Sequence, residues 1–124
     1  EGSSREDLIE EEKIITTLIQ AQIPFITQKR FESCIFPETN RQLVFDFYLP
    51  EQNILIEYDG EQHFHEVRND RYGYEGIVAR DDFKNLWCKE NNIQLIRIPY
   101  TEYKNIDVNY MRAIIQRNNW TEVR

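Results

Sequence analysis

Two apolar segments joined by a short turn constrain the fold of this chain more than any other feature of its sequence. Residues 43–49 and 54–59 are rich in β-branched and aromatic side chains, which favour strands. The sequence of residues 50–53, Pro-Glu-Gln-Asn, is typical of a turn. The pattern predicts a hairpin in which the last residue of the first strand pairs with the first residue of the second. This register places Asp46 opposite Glu57 on one face of the sheet.

Asp46 and Glu57 are charged residues inside strands that are otherwise apolar. Two carboxylates that face each other across a strand pair repel unless a cation or a shared proton lies between them. A divalent cation such as Mg²⁺ meets this requirement, because it binds carboxylate oxygens together with water and phosphate oxygens. The alternative is that arginines such as Arg30 or Arg97 form ion pairs with the two carboxylates. The two residues alone support both interpretations equally.

More candidate residues follow the second strand. Asp59 lies two residues after Glu57 and is therefore predicted on the same face. His63 and His65, which are the only histidines of the chain, come shortly after Gly60. A histidine acts as a general base or acid near neutral pH. We expect this role for His63 rather than His65, because His63 is closer to the end of the strand.

The remaining segments predict a mixed α/β domain. We expect helices at residues 6–20, 77–91 and 106–117 and strands at residues 25–36 and 93–98. Residues 61–76 are predicted to form a loop. With the hairpin, the order is αβββαβα. A helix between two strands implies a crossover connection, and hence a mixed sheet with helices packed on it. We expect one domain over residues 1–124, which can be a piece of a longer protein.

Acidic residues in two of the helices are further candidates. Glu11 shares a helical face with Ile14 and Leu18 and is predicted to point at the sheet. Asp81 and Asp82 are expected to open the second helix. Acidic residues in a first turn stabilise a helix through its dipole, so that this role and a catalytic role for Asp81 are both open.

Composition excludes some classes of protein. The chain has 124 residues, of which 40% are hydrophobic, so it can bury a core. No apolar run approaches the ~20 residues of a membrane span, and no signal peptide is visible, so we expect a cytoplasmic protein. The formal net charge of −7 argues against a broad nucleic-acid-binding surface. The concentration of carboxylates agrees with a site for a divalent metal.

The two cysteines, Cys34 and Cys88, lie far apart within apolar stretches. We predict two buried thiols, because free cysteine is among the most buried residue types. Zinc binding with His63 and His65 is the other interpretation, but the paired short spacings of a structural zinc site are absent from the sequence.

The hairpin and the segments after it resemble a known nuclease core. Residues 45–50 and 54–64 (FDFYLP and ILIEYDGEQHF) resemble the PD-(D/E)xK endonuclease core, and residues 80–93 and 95–100 continue the match. The histidine and the late aspartate are similar to those of the very-short-patch repair endonuclease branch. Within this branch, phage-type homing endonucleases with an EDxHD signature show the strongest resemblance. It implies a restriction-endonuclease-like fold.

The resemblance also implies a metal site. Asp46 matches the metal-binding aspartate and Glu57 the acidic member of the ExK element, and the carbonyl of Tyr58 matches a further ligand. The implied ion is Mg²⁺, for which Mn²⁺ can substitute. Asp59 stands where the lysine of the ExK element is expected. The general base is therefore either His63, as in the repair branch, or Asp59.

Two helical residues complete the implied site. Asp81 matches the aspartate that orients the histidine, and Glu11 matches a glutamate that anchors metal-bound waters. Arg68, Arg71 and Lys84 are candidates for phosphate contacts, although ordinary surface charges are the more common explanation for each.

We therefore expect a magnesium-dependent endonuclease that acts on double-stranded DNA as a homodimer. The predicted dimer surface is the C-terminal helix with Tyr110 and Trp120. One alternative is a nicking enzyme of mismatch repair. Another is a non-catalytic interaction module, with its contacts made by exposed aromatic residues (Tyr72, Tyr74, Tyr100, Tyr103 and Trp120). The DNA target, the number of strands cut and the place of a recognition domain stay open.

Overall fold

The computed structural model describes residues 5–61 and 73–117. Its helices and strands are α1 (Arg5–Gln20), β1 (Ile26–Phe36), β2 (Arg41–Leu49), β3 (Ile54–Asp59), α2 (Gly73–Glu90), β4 (Gln94–Pro99) and α3 (Val108–Gln116), with a 3-10 helix (Tyr100–Asn105) before α3. The order αβββαβα is the one that the sequence predicts. Within the described ranges, no helix is long and apolar enough to cross a membrane.

The four strands form one mixed sheet in the order β1-β2-β3-β4. The pairs β1–β2 and β2–β3 are antiparallel, and β3 and β4 are parallel, with α2 between them in the sequence. Leu49 pairs with Ile54, and Phe47 pairs with Ile56. This is the predicted hairpin register, and continuing it by one residue places Asp46 opposite Glu57.

Helices pack on both faces of the sheet. On one face, which we call the α1/α3 side, buried apolar residues of α1 and α3 pack on the strands (Ile14, Leu18, Phe47, Leu49, Ile54, Ile56, Tyr58, Ile96, Ile98, Ile106, Met111 and Ile114). On the other face, the α2 side, a second buried cluster packs against α2 (Cys34, Phe36, Leu43, Phe45, Leu55, Trp87 and Cys88). Both cysteines are free and buried, as the sequence predicts.

The regular alternation of side chains between the two faces of the sheet is broken in β2 at Asp46. Phe45 belongs to the cluster of the α2 side, whereas Phe47 belongs to that of the α1/α3 side. Regular alternation would place both rings on the same face. Gln28, which lies opposite Asp46 between the paired residues of β1 and β2, has a φ of 53°, which is uncommon for a residue other than glycine. The sheet is therefore irregular where Asp46 lies.

Three asparagines adopt the left-handed backbone conformation, two in turns and one just after a helix. Asn40 and Asn53 close the turns before β2 and β3 with φ values of 61° and 59°, and Asn92 follows α2 with a φ of 59°. Asparagine tolerates this conformation better than most residues do. These positions confirm the predicted turn at residues 50–53 and the predicted end of the second helix.

The start of α2 differs from the prediction. Residues 73–76, expected in a loop because of two glycines, belong to the helix. Asp81 and Asp82 therefore lie in the interior of α2, and the interpretation that they open the helix and stabilise its dipole is wrong. Glycine weakens a helix without forbidding it, and packing of the later turns on the sheet supports the earlier start.

The buried face of α2 also differs from the prediction. Lys84, predicted as a surface contact for phosphate, is only 9% exposed, whereas the apolar Leu86 is 54% exposed. Residues 84, 87 and 88 share one helical face, and Trp87 and Cys88 fill the cluster of the α2 side. The burial of Trp87 thus sets the rotation of α2 about its axis, and this rotation points Lys84 toward the sheet.

Candidate functional site

Asp46 and Glu57 are linked by two hydrogen bonds between their strands. The backbone N–H of Tyr58 donates to Asp46 Oδ2 at 2.8 Å, and the backbone N–H of Asp46 donates to Glu57 Oε2 at 3.0 Å. Each carboxylate thus accepts a backbone N–H of the neighbouring strand at the irregular position of the sheet. The two side chains are brought together as the sequence predicts.

Asp46 lies in a region of excess negative charge. Burial raises the pKa of the Asp46 carboxyl well above its usual value of 3.8, and the carboxylates of Glu57 and Glu11 raise it further. The N–H of Tyr58 and the ammonium of Lys84 act in the opposite direction. The site therefore favours a proton or a cation at Asp46.

Helix α1 contributes Glu11 to this region. Ile14 and Leu18, on the same helical face, are fully buried against the sheet. Glu11 is half-buried and close enough to raise the pKa of Asp46, whereas Glu12 is exposed. The predicted orientation of Glu11 toward the strands agrees with this placement.

Lys84 is a buried partner of Glu57, a contact that the sequence analysis missed. Its Nζ lies 3.0 Å from Glu57 Oε1 and donates to the carbonyl oxygen of Val44 at 2.8 Å. The same ammonium lies 4.9 Å from the centroid of the Phe45 ring. The candidate role of Lys84 as a surface contact for phosphate therefore has to be corrected. The signal was its spacing from Trp87 and Cys88, which places it on the inner face of α2.

Arg97 of β4 is the second buried cation of the α2 side. Its Nη1 lies 2.9 Å from Asp59 Oδ1 and 3.9 Å from Glu57 Oε1. Burial acts to lower the pKa of Arg97, but the carboxylates of Asp59, Asp81 and Glu57 outweigh it, and the pKa is raised. The interpretation that an arginine pairs with Asp46 or Glu57 is thus confirmed only for Arg97 at Glu57, and the shorter contact of Arg97 is with Asp59.

Arg30, the other arginine considered for this role, lies elsewhere. Its Nη1 donates to the carbonyl oxygen of Gln42 at 3.4 Å, an exposed contact between β1 and β2. The charge of Glu57 is instead balanced by Lys84. The predicted repulsion between Asp46 and Glu57 is therefore relieved in part by a cation of the protein itself.

Asp81 joins the site through Arg97. Its Oδ1 lies 3.5 Å from Arg97 Nη1, and its backbone carbonyl oxygen accepts from Nη2 at 3.3 Å. His63, which Asp81 is predicted to orient, lies outside the described residues, as do His65, Arg68 and Arg71. The structure therefore brings Glu11, Asp46, Glu57, Asp59 and Asp81 to one end of the sheet.

The donor atoms at Asp46 fit a hard cation. Oδ2 of Asp46 and both oxygens of Glu57 accept from N–H groups of the protein. Each carboxylate oxygen has a second lone pair, and Mg²⁺ uses only one or two carboxylates together with water. Across residues 5–61 and 73–117, no three Asp, Glu, His or Cys side chains form a ready-made metal site. A cation at this site would therefore be held mainly through Asp46, with Glu57 beside it.

The thiols do not favour zinc. Burial raises the pKa of Cys34, and it raises the pKa of Cys88 to about 12. Zinc binds the thiolate form of cysteine. Both side chains belong to the apolar cluster of the α2 side, which agrees with their predicted role as small core residues.

The sequence is similar to proteins of three viruses. Uncharacterized protein 094L of Frog virus 3 (isolate Goorha) is 34% identical over 99 residues, which are 73% of this chain and 63% of the relative. Uncharacterized protein 307L of Invertebrate iridescent virus 6 is 32% identical over 50% of this chain and 33% of its own length. Uncharacterized protein 033L of Invertebrate iridescent virus 3 is 34% identical over 52% of this chain and 35% of its own length.

The chain spans less than two thirds of the length of each of these relatives. None of the three names states an activity. No family model matches the sequence, and no solved structure matches the chain significantly.

Proposed function

We propose that this chain is the catalytic domain of a magnesium-dependent DNA endonuclease that hydrolyses phosphodiester bonds. The observation that carries the proposal is the geometry at Asp46, which is half-buried, joined to Glu57 by two hydrogen bonds between the strands, and within electrostatic reach of Glu11, so that its pKa is raised. A carboxyl group that is perturbed by burial and by like charges is typical of a functional site. The resemblance of residues 45–64 to the PD-(D/E)xK core gives this cluster its chemistry.

The fold agrees with the proposal without deciding it, because one fold carries many functions. The observed order αβββαβα is the order of the restriction-endonuclease-like core. The two central strands carry Asp46 and Glu57, and α1 carries Glu11. These are the elements on which the resemblance expects the acidic residues. A catalytic domain of the homing-endonuclease type is the form of the proposal that we favour.

Each residue has a part in the proposed reaction. The Asp46 carboxylate and the Tyr58 carbonyl would hold Mg²⁺, with Glu57 beside them and Glu11 holding water. When bound, the ion supplies Lewis acidity that polarises the phosphate and stabilises developing negative charge. The protein positions the phosphate and keeps the carboxylates in place.

A base must take a proton from the attacking water. His63 is the candidate, and Asp81 is the residue expected to orient it. Asp59, the other candidate, has its Oδ1 bound to Arg97 at 2.9 Å. That contact holds the carboxylate and favours its negative charge, which makes it a poorer proton acceptor than a neutral imidazole.

The substrate and the assembly belong to the proposal as well. Double-stranded DNA is the proposed partner, inside the host cell. A double-strand break requires two sites related by a two-fold axis, and hence a homodimer, whereas a monomer would nick. Because the net charge of the chain is −7, we expect most contacts with the DNA phosphates to come from outside this domain.

Plasmid cleavage tests the proposal directly. Supercoiled plasmid is incubated with the chain in Mg²⁺ and in EDTA, and nicked and linear products are quantified. We expect Asp46→Asn to cut about 10²–10⁴-fold more slowly, because losing a metal's charge stabilisation costs several kcal/mol. Asp82→Asn, on the exposed face of α2, is the matched control and should cut normally.

Two outcomes would refute the proposal. One is cleavage that is equally fast in EDTA and in Mg²⁺, and the other is an Asp46→Asn variant as active as the wild type. A non-catalytic interaction module predicts no cleavage under any condition. Nicked product without linear product would leave the hydrolysis in place and favour the repair-type alternative.

A further inference from the structure

Lys84 is an unusual residue in this molecule because its charge is buried. Lysine is almost never fully buried unless it is paired. Here the ammonium binds a carboxylate and a carbonyl oxygen, Glu57 Oε1 at 3.0 Å and Val44 O at 2.8 Å, and lies against the Phe45 ring. These contacts offset the cost of removing the charge from water.

Asp59 of β3 stands where the resemblance to the PD-(D/E)xK core expects a lysine. The strand thus holds two carboxylates on the α2 side, and each has a cation from another element. Lys84 of α2 binds Glu57, and Arg97 of β4 binds Asp59. The positive charge that the strand lacks therefore arrives from the helix.

Arg97 also fixes the helix that carries Lys84. It donates to the backbone carbonyl oxygen of Asp81 at 3.3 Å and to Asn85 Oδ1 at 3.1 Å. Asp81 and Asn85 lie one turn apart on one helical face, and Lys84 lies between them in the sequence. The sheet thus holds α2 on both sides of the lysine, which leaves the ammonium little freedom to move away from Glu57.

The charges around Asp46 can be counted. Glu57, Glu11 and Lys84 all act on Asp46, so that the local set is three carboxylates and one ammonium. Arg97 and Asp59 neutralise each other, so with all three carboxylates ionised the formal sum is −3 + 1 = −2, which one divalent cation balances. Without the ammonium, the same site would carry an additional negative charge.

We infer that Lys84 is a positioning residue for the proposed reaction: it fixes the Glu57 carboxylate and limits the site to a single divalent cation. Its bond to Oε1 leaves Oε2 facing the Asp46 backbone, where the ion is expected. This inference rests on the proposed function. It assigns to Lys84 a role that differs from the surface contact for phosphate that the sequence suggests.

Neutralising Lys84 should have two opposite effects. In Lys84→Gln, the amide can still donate to Glu57, but the positive charge is gone. Binding of Mn²⁺, measured by calorimetry, should tighten several-fold and include a second weak site, because a nearby repulsive charge has been removed. The kcat for plasmid cleavage should fall about 10²-fold, because a neutral amide holds the Glu57 carboxylate in place less firmly than the ammonium does. Lys84→Arg keeps the charge and should retain single-ion binding.

The controls separate the possible failures. Lys89→Gln, on the exposed side of the same helix, should change neither readout. A structural role alone would lower metal affinity, kcat and melting temperature together, which would overturn the inference. Lys84→Gln that binds Mn²⁺ and cuts like the wild type would also overturn it. If Lys84→Gln does not fold, the Lys84→Arg variant decides. Weaker Mn²⁺ binding by Lys84→Arg than by the wild type, or a second Mn²⁺ site, would contradict the inference. A wild-type chain that neither binds Mn²⁺ nor cuts would instead refute the proposed function.

Discussion

The two sides of the sheet solve the problem of burial in different ways. The α1/α3 side is filled almost entirely by aliphatic and aromatic side chains from α1, α3 and the strands. The α2 side contains Glu57, Asp59, Lys84 and Arg97 next to its apolar cluster. A buried ion pair is often no more stabilising than apolar residues of the same size. The α1/α3 side is thus stabilised mainly by apolar burial, whereas the α2 side retains buried charges, among them residues of the proposed site.

The α2 side is itself divided. Toward β1, aromatic rings pack closely, with centroid distances of 4.9 Å for Phe31–Trp87 and 6.1 Å for Phe45–Trp87. Toward β4, the ion pairs of Lys84 and Arg97 take over. Lys84 touches both parts, because its ammonium also lies over Phe45. The rings keep water away from the charges, which strengthens the electrostatic interactions among them.

The largest effect should come from removing a charge of the α2 side. Arg97→Leu leaves Asp59 buried beside Glu57 without its main cation, and breaking a buried pair costs about 3–5 kcal/mol. Urea unfolding measures the loss, and Arg30→Leu on exposed β1 should stay within about 0.5 kcal/mol of the wild type.

A double variant sharpens this test. Arg97→Leu combined with Asp59→Leu removes both partners and should recover much of the lost stability, since apolar replacements of buried pairs are often neutral or stabilising. If the double variant stays as far below the wild type as Arg97→Leu alone, the ion pair is more stabilising than apolar residues of the same size, and the contrast between the two sides fails.

A smaller effect is expected on the α1/α3 side. Leu18→Ala removes a fully buried side chain of α1 and should cost about 3 kcal/mol, from the lost burial and the cavity that remains. Ile19→Ala is the control on the same helix, because Ile19 is 60% exposed and should change the free energy of unfolding little. Plasmid cleavage should survive Leu18→Ala at temperatures where the variant is folded. Loss of cleavage in the folded variant would mean that the packing of Leu18 also positions Glu11, which α1 contributes to the proposed site.

The same contrast decides what the sequence could predict. Apolar periodicity and turn residues predict the hairpin, its register and the inward face of α1, because these depend on neighbours in the chain. The contacts of Lys84 with Glu57 and of Arg97 with Asp59 join residues 27 and 38 positions apart. No local pattern reports which of several cations reaches a given carboxylate. The partners at the site therefore emerged only from the packing of α2 on the sheet.

The error at the start of α2 has a related cause. Gly73 and Gly76 suggest a loop, because each costs a helix about 1 kcal/mol relative to alanine. The helix nevertheless begins at Gly73. Its later turns are held by Trp87 in the apolar cluster and by Arg97 at Asp81 and Asn85. Tertiary contacts of this kind outweigh local propensity, and they are not visible in the sequence around the glycines.

The smallest effect concerns Cys88, which lies between the apolar and the charged parts of the α2 side. Burial raises the pKa of its thiol from 9.0 to about 12, with Cys34 and Glu57 adding to the shift, while Arg97 and Lys84 oppose it. A raised pKa means that the stabilisation is complete below pH 9.0. It is lost as the pH rises toward 12, because the unfolded chain releases the proton first.

The difference between wild type and Cys88→Ala isolates this effect from the lysines and tyrosines that titrate in the same range. Between pH 8 and pH 10, the wild type should lose about 1 kcal/mol more of its free energy of unfolding than the variant does. Urea unfolding at each pH provides the measurement. Parallel curves would mean that the cations of Lys84 and Arg97 reach Cys88 and offset its burial, so that the charged part of the α2 side extends further into the core than the packing of Trp87 indicates.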